Sequence, residues 1–432
     1  MKNSAANECG KNSPLIWQRD FRPKAKRFTV KSKHFTLCLL LIAGDPALAQ
    51  DWTQTGAPAT FQWQSLASSA DGTKLAAAAY DDGQGDGGPI YTSTNSGATW
   101  ARTSAPTNLA WQSVASSTNG ATLVAAVYQD ADGNPGVIYT STNSGSTWKA
   151  PAAPTDSWIC VSSSADGTKL VAADSGGGDG LIYRSTNSGK SWNATSAPSD
   201  FWASVASSAD GTTLVAADSG YGDGLIYTST NSGLSWTAPA TLVNPWSSVA
   251  SSADGTRLAA ANSGNGDDSI YTSTDSGLSW TATTAPTNQW ASVTSSADGT
   301  TLVAADSGDG DGLIYTSTNS GLDWTATTAP VGYWTSIASS ADCSKLAASA
   351  YPGGIYTGLS IPVLNIRPPS GNLLISWRDS SAAMGFVLQE LSDLSTTNWV
   401  AVTNLPVLTN GLNQVAIPPP LRANQFYRLK GP

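Results

Sequence analysis

From Trp63 onward one unit recurs: "WQSLASSADGTKLAAAAY", an insert rich in Gly and Asp, then "IYTSTNSGATW". Its first Trp stands at Trp63, Trp111, Trp158, Trp202, Trp246, Trp290 and Trp334, at spacings of 48, 47, 44, 44, 44 and 44 residues. A unit this short cannot bury its own apolar faces, so the chain must stack each unit on the next, and a period near 44 suits the four short strands of a propeller blade. The turn residues divide the unit. "WxSVASS" reads as the first strand, "ADGT" as a tight turn, "xLVAA" as the second strand and the Gly-rich insert as a loop. "LIYTST" is then the third strand, "NSG" a turn, and "WTATTAP" a fourth strand stopped by Pro.

The segment "DWTQTGAP" at residues 51–58 is such a fourth strand with nothing before it, while the seventh unit ends "GGIYTG" at Gly358 and lacks its own. The Trp of the fourth strand appears at Trp52, Trp100, Trp148, Trp192, Trp236, Trp280 and Trp324. Trp52 therefore predicts that the N-terminal segment is the outer strand of the last blade, closing a seven-bladed, all-β ring without a covalent joint.

Composition supports strands and turns: only 12% of the 432 residues are charged, and Gly, Ser, Thr, Ala and Trp are abundant. Residues 1–49 read as an export signal. A basic stretch "KAKRFTVKSKH" runs into the apolar Phe35 to Ala43, and "ALAQ" supplies a small-residue cleavage pattern at Ala47, Leu48 and Ala49. Nine apolar residues are too few for a membrane-spanning helix, which needs about 20. Export to the cell surface, the medium or the periplasm is the expected destination. Beyond residue 50 the chain carries 13 Lys and Arg against 28 Asp and Glu. That surface repels polyanions, so nucleic acid and anionic lipid are not expected partners. Cys160 and Cys343 fall in well-separated units, beyond disulfide reach.

"STNSGATW" (Ser93 to Trp100) resembles the Asp-box, S-x-D-x-G-x-x-W, of bacterial neuraminidase-repeat propellers, and recurs from Ser141, Ser185, Ser229, Ser273 and Ser317. The third position departs from that pattern, being Asn at Asn95, Asn143, Asn187, Asn231 and Asn319 and Asp only at Asp275. The expected turn has a short polar side chain bonding the backbone two residues on, Gly at positive φ, and the Trp packed beneath. Families with such repeats include sialidases, sortilin-type receptors and photosystem II assembly factors. Seven blades without long insertions look most like the last, which bind proteins. Residues 359–432 contain five strand-like runs and resemble the immunoglobulin or fibronectin type III-like sandwich found on secreted planctomycete and verrucomicrobial proteins.

Resemblance to sialidases would imply an Arg triad, a Tyr and Glu pair and an Asp acid. Residues 50–358 hold no Glu, no His and only Arg102, Arg184 and Arg257, none on an innermost strand. The single His34 lies in the leader, which removes His-dependent catalysis and His-ligated metal from residues 50–432. A pair of Asp remains available to a glycoside hydrolase.

Two sets of residues could bind a ligand. The loops between second and third strands share a face with those between fourth and first. Their inserts place Asp174, Asp179, Asp218, Asp223, Asp267, Asp306, Asp309 and Asp311 there, as a calcium site or as plain turn residues. No other cofactor is expected. The seven Trp that lead the units, Trp63 to Trp334, could stack on sugars or grip apolar side chains, or instead form the core between blades. The expectation is a secreted, non-catalytic monomer that recognises a protein or glycan through this face. A sialidase-like hydrolase and a purely structural surface repeat protein are the alternatives.

Overall fold

The computed structural model describes residues 28–32, 35–39, 50–85, 87–150, 153–176, 179–221, 224–238, 242–264, 268–308, 310–360, 365–367, 373–377, 387–391, 398–409, 412–418 and 426–430. Every regular element among them is a strand. Residues 50–360 form a seven-bladed β-propeller. In blade 1 the strands Gln62–Ser68, Leu75–Asp81, Ile90–Ser93 and Ala101–Arg102 pair antiparallel in chain order. Successive first strands lie against one another all the way round, from Gln62–Ser68 through Trp334–Ser339 and back, so they are innermost. Each begins with a bulge after its Trp, as between Trp334 and Ser336.

Blades 3, 5 and 6 are complete four-stranded sheets, whereas blades 2 and 4 keep only a bridge, Thr140↔Lys149 and Thr228↔Thr237, in place of the outer strand. In complete blades a Thr continues that strand, as where Thr103 donates its N–H to the Ile90 carbonyl at 2.9 Å. Blades 2 and 4 carry Pro151 and Pro239 at this point, outside the described residues, and Pro has no N–H to give.

The last blade is made as expected. Gln50–Gln54 pairs antiparallel with Gly354–Ser360, in the register Trp52↔Gly358 and Gln50↔Ser360. Trp52 comes 6.2 Å from Trp334, centroid to centroid.

Two sets of hydrogen bonds seal the ring, on the side of the tight turns and along the axis. Seven amides form a continuous circle of hydrogen bonds: Ala70 donates to Thr118, Thr118 to Ala165, Ala165 to Ala209, and so on to Ala341, which donates to Ala70 at 2.8 Å. Each innermost strand would leave an unpaired edge toward the axis, a liability for any sheet. A Ser of the neighbouring blade covers it: Ser65 Oγ accepts from Val114 N–H at 3.0 Å, and Ser336 Oγ accepts from Leu66 N–H at 3.1 Å. Cys160 stands where the other six blades have this Ser.

The core consists of seven clusters, each shared by two adjacent blades. Ala338, Ala347 and Ile355 of blade 7 pack with Trp63, Leu66 and Ala77 of blade 1, which completes the circle. The run of Ala in the second strands, Ala76 to Ala79 for instance, is fully buried and lets neighbouring sheets approach closely.

Outside the ring, Phe28–Ser32 pairs with Phe35–Leu39, and no helix among the described residues is long and apolar enough to cross a membrane. In the C-terminal module two sheets share a core of Leu373, Ile375, Trp377, Leu388 and Val415. One contains Asn365–Arg367, Leu373–Trp377, Leu412–Ile417 and Val407–Thr409. The other contains Val400–Ala401, Val387–Leu391 and Phe426–Lys430.

Candidate functional site

The seven leading Trp are core. Trp63, Trp111, Trp158, Trp202, Trp246, Trp290 and Trp334 are exposed by 0–2%, which corrects the expectation that they offer stacking faces to a ligand. The reason is a partner that every unit carries in its third strand. Each indole meets the Tyr of "IYTS", "IYRS" or, in blade 7, "IYTG" edge to face, from Trp111–Tyr139 at 5.2 Å to Trp63–Tyr91 at 5.7 Å. Most also pin the adjoining loop by donating Nε1–H to a backbone carbonyl, as Trp246 does to Gly224 at 2.8 Å.

The turns of the S-x-N-x-G and S-x-D-x-G stretches face the opposite side and are built differently from the expectation. In blade 1 Ser93 Oγ accepts from Gly97 N–H at 2.9 Å, and Asn95 Oδ1 accepts from Thr99 N–H, four residues on rather than two, at 2.9 Å. Both Ser96 and Gly97 are left-handed, at φ 56° and 85°. The Asn-for-Asp exchange costs nothing here. Asn95 Nδ2 donates to the Thr99 hydroxyl, whereas Asp275 accepts from the Ser279 hydroxyl, so one rotatable O–H serves either side chain.

The first residue of each insert closes its own loop. Asp174 Oδ2 accepts from Leu181 N–H at 3.1 Å, and Asp306 Oδ1 from Gly308 N–H at 2.9 Å. Asp218 accepts from Gly220 and Gly224. Blade 5 has Asn262 in this place, accepting from Ser269, so the position asks for an oxygen and not for a charge. All four side chains are buried. Burial pushes the Asp174 carboxyl up to about 7, helped by the charges of Asp156 and Asp179 and by a hydrogen bond shared with Asp156. Burial raises Asp306 likewise, with Asp311 nearby. Asp179 and Asp311 are exposed, and Asp223, Asp267 and Asp309 lie outside the described residues. Among the described residues no three or more His, Cys, Asp or Glu gather as a metal would require.

The loop face also exposes apolar side chains. Tyr221 projects at 84% exposure from the blade 4 insert, with its ring 6.1 Å from that of Phe201, and Val243 of the next blade is 61% exposed. Across blades 6 and 7, Val331, Tyr333 and Tyr351 are exposed, the last two joined where Tyr351 N–H donates to the Tyr333 carbonyl at 3.0 Å. Phe201 and Tyr333 each directly precede a leading Trp. The residues before those Trp, Gln62, Ala110, Ser157, Phe201, Pro245, Gln289 and Tyr333, are the part of the unit that changes from blade to blade.

A closed ring of seven four-strand units has known counterparts. No protein-family model matches the chain, and no curated protein sequence does. Solved structures do. The likeness is one of fold. It extends to the GH74 xyloglucanase of Xanthomonas campestris, with a TM-score of 0.56, 13% identity and 76% of this chain covered. The chain spans 60% of the xyloglucanase's length. It extends also to YCF48 from Cyanidioschyzon merolae, with a TM-score of 0.53 and 15% identity over 71% of this chain and 98% of that one. YCF48 bound to D1 peptide gives a TM-score of 0.53 and 15% identity, over 72% of this chain and 97% of that one. At these identities the comparison establishes the propeller and nothing about chemistry.

Proposed function

We propose that this protein is an exported, non-catalytic binding module whose loop face recognises a protein or glycan partner. The observation that carries this reading is the set of exposed Tyr and Val side chains held on a rigid ring. Aromatic anchors with only two rotatable bonds lose little freedom when a partner docks. A propeller of the same fold, YCF48, has been seen with a peptide, which is a precedent for the fold as a binding platform. The Asp-box repeat family and the immunoglobulin or fibronectin-like identity of the C-terminal module belong to the same proposal, as does calcium at the inserts. In the test, residues 50–432 are passed over glycan and peptide arrays with and without EDTA. Binding lost in Tyr221→Ala with Tyr333→Ala supports the proposal, and retention of all binding in that pair overturns it.

One observation favours a second reading, a glycoside hydrolase. Burial pushes the Asp174 carboxyl up to about 7, the range a general acid needs. Hydrolysis of a polysaccharide panel that disappears in Asp174→Asn, while the variant still melts cooperatively, would establish it.

A further inference from the structure

The two faces of the wheel differ in charge far more than the chain's total suggests. Take the stretches from the last residue of each second strand to the third strand, and from each outer strand to the next leading Trp. In the sequence these stretches hold sixteen Asp and not one Lys or Arg; among the described ones Asp174, Asp200, Asp218, Asp268 and Asp306 are buried. All eight Lys and Arg of residues 51–358 lie elsewhere, at Lys74, Arg102, Lys149, Lys169, Arg184, Lys190, Arg257 and Lys345. Several of these cations are tied into the opposite side. Lys74 Nζ donates to the Asn119 carbonyl at 2.8 Å, Lys169 Nζ to the Asp210 carbonyl at 2.7 Å, and Arg257 to the Ser320 hydroxyl at 2.8 Å. They cannot swing round to neutralise the loop face.

That face also carries exposed apolar side chains, in two groups. Tyr221 with Phe201 and Val243 sits on blades 4 and 5, and Tyr333 with Tyr351 and Val331 sits on blades 6 and 7. Between them comes the blade 6 insert, where Asp311 is exposed. An uncharged sugar stacks on aromatic rings and donates its hydroxyls to carboxylates, but it gains nothing from the long-range field of the acids. A polypeptide with Lys or Arg between apolar side chains gains from both: the field draws it in and the rings hold it.

We propose that the loop face docks a cationic peptide segment, basic in its middle and apolar or aromatic at either end, lying across blades 4 to 7. This deepens the binding-module reading and rests on it. The peptide contributes the positive charge that the face lacks, and its apolar ends cover Tyr221 and Tyr333. Attraction of this kind falls as salt rises, because exposed charges are screened beyond about 8 Å at physiological ionic strength.

The experiment is selection of a phage-displayed library of random dodecapeptides on residues 50–432 at low salt. Enriched peptides should hold an excess of Lys and Arg beside Phe, Tyr, Leu or Val. A synthetic copy should bind at least tenfold more weakly to Tyr221→Ala with Tyr333→Ala, and more weakly in high salt. Leu278→Ala, an exposed apolar residue on the opposite side, should leave binding unchanged. Enrichment of acidic or uncharged peptides, no enrichment at all, or indifference to the Tyr substitutions overturns the proposal. If glycans bind the same face while peptides do not, the cationic peptide falls and the binding module stands. If neither binds, both fall.

Discussion

Six blades place a Ser hydroxyl under the neighbouring inner strand, and blade 3 places the Cys160 thiol there, toward Val205. The thiol is a weaker acceptor, and full burial pushes it up to about 12, so it stays protonated and unreactive. Cys160→Ser should therefore be neutral or stabilise by up to about 1 kcal/mol, read as an unchanged or slightly higher melting temperature. Cys343 is different. It occupies a turn position that is Gly72 in blade 1 and keeps φ at 56°, which any side chain resists. The leading Trp show why residue roles were only half legible in the sequence. Their period announced them, but a recurring indole looks the same whether it faces solvent or a neighbouring blade. The Tyr that follows the Ile of every third strand was the missing signal, since a second aromatic at the same place in each unit gives each indole an edge-to-face partner. Tyr221 and Tyr333 lie in the variable parts of the unit, where the repeat offers no guidance.

At the level of turns and loops, the same residue type titrates in opposite directions. In the turns between first and second strands, the Ser69 hydroxyl holds Asp71 near about 2, and Ser208 holds Asp210 near about 2, against an ordinary 3.8. A depressed native value stabilises above the ordinary one, and that support is lost as pH falls from about 4 to about 2. Asp174 behaves inversely. Its native value near 7 means the folded state holds a proton that the unfolded chain has released, so stability declines as pH rises from about 4 to about 7. Asp174→Asn should melt higher than the parent at pH 8 and near it at pH 4, because Asn262 shows that an amide closes this loop. Equal melting at both values would remove the argument. The strand and turn order was readable from punctuation. The loss of the outer strand in blades 2 and 4 is written in Pro151 and Pro239, which stand where the complete blades have Thr. The bulge that opens each inner strand has no residue signature, since Gln, Ile, Ala, Ser and Thr all occupy it.

For the whole wheel, the seam between blade 7 and its borrowed strand is the critical joint. It was legible because two incomplete pieces of one repeat, at opposite ends of the propeller, complement each other. The arrangement of the C-terminal module was not, because its five runs share no repeat. Trp52→Ala removes the ring that lies over Gly358 and beside Trp334, and should cost about 3 kcal/mol. Removing residues 50–54 should abolish cooperative melting. An unaltered melt in either variant would show that the ring closes without this strand. The register has a mechanical corollary. Gln50 lies opposite Ser360, so the chain enters and leaves the seam at the same end of the paired strands. Tension between the two termini would act on that end alone, parting the strands like a zipper instead of shearing every bond together. Anchored at both ends the protein would yield to a weak pull, and anchored at one it would bear no load across the joint.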